Sequence, residues 1–331
     1  MKRLCTMLMV LCLLSASSGL AEPAKQSAVG FYLDTVVMLT AYVDDVQVLN
    51  DALAECGRYE QMLSRTIEGS DVWRINHAGG RPTTVSDETI ELLTAAQEVS
   101  ALSQGAFDVT IAPASTMWDF TSGAAVLPNE AALAAAAKLI DYTQVSIDGN
   151  DVTLPDGMMI DLGAIAKGYI ADKVKAYLSA RGVESGILNF GGNVVGLGLK
   201  PDGSAWKVGI QDIDQPTGAY MMVAENRGGS TVTSGIYERG FTLDGVYYHH
   251  ILSTETGWPI QNELASVTIF SDSSMWGDAL ATAAFALGTD HGLSMIESLD
   301  GIEAVFISRD RSITLSSGAG DYIIDYPHDE T

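Results

Sequence analysis

The hydrophobic pattern changes period several times along the chain. Residues 31–43, FYLDTVVMLTAYV, alternate and are rich in β-branched side chains, which predicts a first strand. Residues 45–65, DVQVLNDALAECGRYEQMLSR, shift to the three-and-four spacing of a helix. In SDETIELLTAAQEVSALSQG, 86–105, Ser86 is the expected N-cap and Gly105 the stop, with Ile90, Leu93, Val99 and Leu102 as apolar positions. PNEAALAAAAKLI, 128–140, predicts a helix capped by Asn129. DVTLPDGMMIDLG, 151–163, predicts a hairpin around Pro155-Asp156-Gly157. A long helix is expected over 164–182, AIAKGYIADKVKAYLSARG, ended by Gly182. Short strands then dominate from GILNFGG through WKVGIQ to GVYYHHIL. The apolar run LASVTIF leads into a helix over 274–288, SMWGDALATAAFALG, and GIEAVFIS reads as a late strand. Helices and strands mix without a regular βαβ beat, so the expected class is an irregular α/β, or mixed α+β, fold. No internal repeat, low-complexity tract or linker divides the chain, and a single compact unit is expected over 22–331.

Charge narrows the choice of partners. Among 331 residues, 42 are acidic and 18 basic, a net charge of −24. Such a surface repels nucleic-acid backbones and anionic membranes, so no nucleic-acid partner is expected. A phosphate-bearing ligand would need a cation or backbone amides to screen it. The first 21 residues combine Lys2 and Arg3, an apolar run to Leu14 and the small-x-small sequence Gly19-Leu20-Ala21. That is the make-up of a secretory signal peptide, so an exported, periplasmic or extracytoplasmic protein is expected. Cys12 follows Val10-Leu11 rather than the small residue a lipid-attachment site wants, which argues against a lipid anchor. Cleavage after Ala21 removes Lys2 and Arg3 from the 18 basic residues; 16 then face 42 acidic ones, net −26, with Cys56 the one cysteine left. No intramolecular disulfide is then possible. No later run has the eighteen or so apolar residues of a membrane span.

Candidate chemistry is concentrated in a few stretches. Five histidines and one mature cysteine form no H-E-x-x-H or C-x-x-C, and no G-x-S-x-G or Walker A motif is present. FDVTIAP, 107–113, places Asp108 in a turn after Gly105. In DLGAIAKGYIADKV, 161–174, Asp161 stands where a helix begins; it either caps that helix or belongs to an anion site at its free amides. Lys167 is one of few cations. NFGGNVVGLG lacks G-x-G-x-x-G spacing and reads alone as a tight β-turn. TSGIYERG, 233–240, offers two hydroxyls and Arg239. His249 and His250 are adjacent in a strand, so at most one of them enters a given site. Asp278 and Thr282 lie four apart and share a helix face. Alone, Asp278 suits the dipole of its helix start.

Together and in order, GAFDVTIAP, DLGAIAKGYIADKV, ILNFGGNVVGLG, WKVGIQD, TSGIYERGF, YHHILSTETGWP and GDALATAAFALG resemble the ApbE family of flavin transferases, with DVWRIN and LDTVVMLTAY fitting its N-terminal part. The resemblance covers about residues 31 to 310. It implies a flavin cleft between two sub-lobes, FAD as substrate, and Mg²⁺ as cofactor. Implied metal ligands are Asp278, Thr282 and Ala164, the last through its carbonyl. Implied flavin contacts are Leu33, Asn76, Ala106, Phe107, Asp108, Asp161, Lys167, Thr233, Ser234, Gly235 and His250. Asp278 and His250 take the catalytic roles, His250 as proton acceptor because a histidine's ordinary pKa range fits that task. The implied reaction moves FMN from FAD to a threonine or serine hydroxyl and releases AMP. Exported subunits of membrane redox complexes are the implied acceptors. A metal-dependent FAD pyrophosphatase would use the same site with water as acceptor, and a flavin carrier without turnover is the non-enzymatic alternative. The chain departs from the family pattern at Leu33-Asp34-Thr35, Ser253-Thr254, Gly277 and PASTMWDF.

Overall fold

The computed structural model describes residues 23–325; the expected signal peptide and the last six residues lie outside them. Strands β1 (Ala24–Tyr32) and β2 (Thr35–Val43) open the fold and are followed by helices α1 (Gln47–Leu63) and α2 (Asp71–Asn76). Next come β3 (Thr83–Thr84), α3 (Asp87–Leu102), α4 (Ala112–Ser115), α5 (Glu130–Ala137), β4 (Ser146–Asp148), β5 (Asp151–Thr153) and α6 (Ala166–Ser179). A strand-rich stretch holds β6 (Gly186–Phe190), β7 (Asn193–Leu197), β8 (Trp206–Gln211), β9 (Tyr220–Asn226), β10 (Ser230–Gly235), β11 (Gly240–Leu243), β12 (Val246–His249) and β13 (Leu264–Ser271). The described chain closes with α7 (Ser274–Glu297), β14 (Glu303–Ser308), β15 (Ile313–Leu315) and β16 (Ile323–Asp325).

Eight strands form one sheet in the order β1-β2-β6-β7-β10-β13-β14-β15, antiparallel at every pairing. Antiparallel pairing with helices gathered on one face is α+β organisation, as the mixed pattern predicts. β13 is buried along its whole length because it is covered on both sides. Val267 and Ile269 join the main core with Phe285 of α7, whereas Phe270 packs with Met222 of β9 and Ile323 of β16. The three-stranded sheet β16-β9-β8 therefore covers the face that the helices leave. α7 is apolar nearly all round, as a helix buried in a core must be. Its helical geometry breaks at Gly288 (φ 76°), the end the sequence predicts, and resumes to Glu297. No helix among the described residues is long and apolar enough to cross a membrane.

Three expectations are corrected. Residues 31–43 are not one strand: Leu33 and Asp34, at φ 55° and 56°, make the two-residue turn between β1 and β2. The hairpin placed around Pro155-Asp156-Gly157 is absent. β5 pairs instead with β4 and β3, and after Gly157 the backbone of Ile160 is taken by the Asn76 side chain (2.7 and 2.9 Å) rather than by a strand. Leu102 ends α3 exposed, while Leu92 is buried in its stead.

Candidate active site

The start of α7 is capped from another helix. Asp172 of α6 accepts from Ser273 Oγ (2.7 Å) and from the amides of Ser274 (2.9 Å) and Met275 (3.0 Å). Asp278 is thus not needed for the helix dipole, which corrects that reading of it. Its carboxylate turns toward α6, where Oδ2 accepts from the Gly168 amide (2.9 Å) and Oδ1 meets Lys167 Nζ (3.2 Å). The two helices come this close because residue 168 is glycine. One turn on, Thr282 Oγ1 lies 3.3 Å from the Asp278 carbonyl and 3.2 Å from Ser234 Oγ.

Asp278 and Thr282 face a cavity of about 520 Å³. Leu33, Phe107, Asp108, Asp161, Ala164, Lys167, Thr233, Ser234 and His250 also line it. Asn76, Ala106 and Gly235 are not among its lining residues. Asn76 spends its amide on Ile160, which fixes the loop carrying Asp161 and Ala164. A second hollow of about 690 Å³, beside β9 and β10, contains none of these residues.

Asp161 does not cap α6, whose N-cap is Ile165 with no side-chain bond. Instead its carboxylate pairs with Arg65 Nε (2.9 Å) and accepts from the Gly163 amide (2.9 Å). Asp108 uses both oxygens internally, accepting from the Thr110 amide and hydroxyl (2.7 Å each) and the Tyr142 amide (2.8 Å). Burial raises its pKa against the pull of these bonds. Its carboxylate is a turn cap, and it has little left to offer a ligand.

The two histidines face different surroundings as expected, although β12 ends at His249 and His250 lies just past it. His249 is buried with Nε2 at 2.9 Å from the Ile260 carbonyl, and His250 faces the cavity. Nδ1 of His250 lies 3.3 Å from the Arg239 carbonyl, an acceptor only, so the proton sits on Nδ1 and Nε2 keeps its lone pair. Burial first, then the charge of Arg239, pushes the imidazole down to about 3. The expectation of an ordinary histidine pKa is therefore corrected: among these surroundings His250 is neutral at pH 7.

Sequence reasoning missed two features of the cavity. Glu238 lines it beside the Gly192 turn and has no hydrogen-bonded side-chain partner among the described residues; burial raises its carboxyl to about 7, opposed by Lys167 and reinforced by Asp278. Its only signal was its place beside Arg239. Trp118 and Phe120 form an aromatic wall, their rings stacked at 5.3 Å and 9°, with Trp258 edge-on to Trp118 at 5.2 Å. Arg65, Lys167 and Arg239 supply positive charge to the same cavity.

No group of three or more His, Cys, Asp or Glu side chains among the described residues is placed to hold a metal. The Asp278 carboxylate, the Thr282 hydroxyl and the Ala164 carbonyl form a different set, hard oxygens of mixed type that suit Mg²⁺ completed by water and phosphate. They fit such an ion on one further ground. Asp278 Oδ1 already faces a positive charge, the Lys167 ammonium.

A family model described as the ApbE family matches residues 33–306. An FAD:protein FMN transferase of Klebsiella pneumoniae is 36% identical over 285 residues, 85% of this chain and 88% of that one. One from Treponema pallidum is 32% identical over 97% of this chain and 95% of its own. Among solved structures, the ApbE protein of Thermotoga maritima superposes with a TM-score of 0.84 at 29% identity, covering 91% of this chain and all of that one. The flavin transferase ApbE of Vibrio cholerae gives 0.81 at 27%, covering 90% and 100%.

Proposed function

The chain belongs to the ApbE family, and we propose that, as an FAD:protein FMN transferase, it uses Mg²⁺ held by Asp278, Thr282 and the Ala164 carbonyl. The acceptor is a threonine or serine hydroxyl of an exported protein, with subunits of membrane redox complexes as the acceptor class. Export rests on the make-up of the first 21 residues.

The observation that carries the site assignment is Asp278. It is a carboxylate 2% exposed, in the wall of a cavity, with one oxygen fixed by a backbone amide and the other facing a cation. When bound, Mg²⁺ neutralises diphosphate charge and acts as a Lewis acid at phosphoryl oxygen. Ser234 presents its hydroxyl from β10 beside Thr282, while the Thr233 hydroxyl is taken by Thr268 of β13, and the aromatic wall offers flat apolar surface to a ring system. In the transfer, the acceptor oxygen bonds to the FMN-side phosphorus while that phosphorus loses its bond to the bridging oxygen, which leaves with AMP. The hydroxyl proton passes to Nε2 of His250.

Incubation of the protein with FAD, Mg²⁺ and a Ser/Thr-containing acceptor tests this reading. The expected result is covalent flavin on the acceptor with AMP released in equal amount. FMN and AMP set free without labelling would make the protein a pyrophosphatase, and unchanged FAD a carrier.

A further inference from the structure

Each carboxylate oxygen of Asp278 has a partner. Oδ2 is held by the Gly168 amide at 2.9 Å and Oδ1 by Lys167 Nζ at 3.2 Å. The first partner cannot yield. A Cβ at residue 168 would stand 2.1 Å from the Ser274 carbonyl oxygen and 2.8 Å from Asp278 Cβ, so α6 and α7 are locked backbone to backbone there. The second partner sits at the end of a flexible four-carbon stem. A divalent cation at Oδ1 would stand beside that ammonium, and the repulsion between the two favours the departure of Lys167.

The local charges say when that exchange is favourable. Asp278 and Glu238 face Lys167 and Arg239, two acids against two bases around one end of the cavity. A divalent metal alone would add two positive charges beside an ammonium that has just lost its carboxylate. The diphosphate of FAD alone would add two negative charges beside two acids. Bound together they cancel, and the displaced ammonium has a phosphate oxygen to turn to.

We propose that Lys167 is a resident stand-in for the metal: its ammonium holds the cation position at Asp278 until the diphosphate of FAD draws it away, so that divalent metal binds in a manner coupled to FAD. The proposal rests on the metal assignment made above. Reciprocity of coupling requires the metal to tighten FAD by the same factor as FAD tightens the metal.

Mn²⁺ binding, followed by its electron paramagnetic resonance signal, reads the metal without any turnover. The experiment uses the mature chain with and without FAD, beside Lys167→Met, Lys167→Arg and Asp278→Asn. Wild type without FAD should bind Mn²⁺ at least tenfold more weakly than with it. Lys167→Met should bind at least tenfold more tightly than wild type in the absence of FAD, and Lys167→Arg should stay weak. Wild-type binding that is tight without FAD and is removed by Asp278→Asn would overturn the proposal while leaving the metal site standing. Mn²⁺ binding indifferent to Asp278→Asn would overturn both. Phosphate oxygens of FAD tighten the metal in either case, so the decision falls to Lys167→Met without FAD, read on the folded fraction from a thermal melt: folded Lys167→Met that binds Mn²⁺ no more tightly than wild type would overturn the proposal.

Discussion

Gly168 of α6 lies against Ser274 of α7 so closely that a Cβ at 168 would be 2.1 Å from the Ser274 carbonyl oxygen. This contact, between residues far apart in sequence, delivers the Gly168 amide to Asp278 and the Lys167 side chain beside it. Gly168→Ala should push the two helices apart. Overpacking against backbone costs about 1–3 kcal/mol, and the variant should lose Mg²⁺-dependent activity beyond what its unfolded fraction explains. A denaturant melt beside an activity assay at saturating FAD checks both parts.

Stability should fall as the medium is acidified from pH 7. Burial pushes His249 down to about 4 and His250 to about 3, against 6.5 in the unfolded chain. Between about pH 4 and 6.5 the unfolded state therefore binds more protons, and stability declines as pH drops. Glu238 acts in the opposite sense. Its carboxyl, raised from 4.5 to about 7, contributes stability below pH 4.5 that is lost as pH rises toward 7. Melts across pH 4.5–7.5 should show a shallower dependence for His250→Ala and a steeper one for Glu238→Gln, each by about one proton.

The aromatic wall is expected to meet the flavin or adenine ring. Trp118 is buried, and its Nε1 donates to the Gly257 carbonyl at 2.9 Å. Trp118→Ala should cost about 3–5 kcal/mol in stability. Trp118→Phe keeps most of the packing and loses one hydrogen bond, about 1 kcal/mol. FAD should quench tryptophan emission in the wild type and much less in Trp118→Phe.

Much of the fold was legible because local signals agreed with tertiary demands. Ser86 caps α3 and Asn129 caps α5, as their side chains and spacing indicate. The Asp278–Thr282 face was readable from helix periodicity, although what it faces was not. The alternation of 31–43 hid a turn, since Leu33 gives no sign of left-handed backbone and Asp34, which tolerates it, is only a weak one. The role of Asp172 was invisible for a different reason: it caps a helix about a hundred residues away, and no local pattern encodes that. Asn76 is a similar case. DVWRIN pointed to the site, but the side chain serves the backbone of Ile160 rather than the cavity. Glu238 became a site residue only when folding set it beside Lys167 and Asp278.

The central claim is that the Asp278 face holds the metal on which transfer depends. A Mg²⁺ titration of acceptor flavinylation by wild type, Asp278→Asn and Thr282→Val tests it most directly, with a thermal melt of each. Asparagine keeps the shape and one oxygen but removes the anionic ligand, so Asp278→Asn should fold and transfer about 100-fold or more slowly, since metal stabilisation of this kind is worth several kcal/mol. High Mg²⁺ should recover part of that loss, and Thr282→Val should show a milder version of it. Folded Asp278→Asn that flavinylates the acceptor at the wild-type rate, with an unchanged Mg²⁺ dependence, would contradict the account.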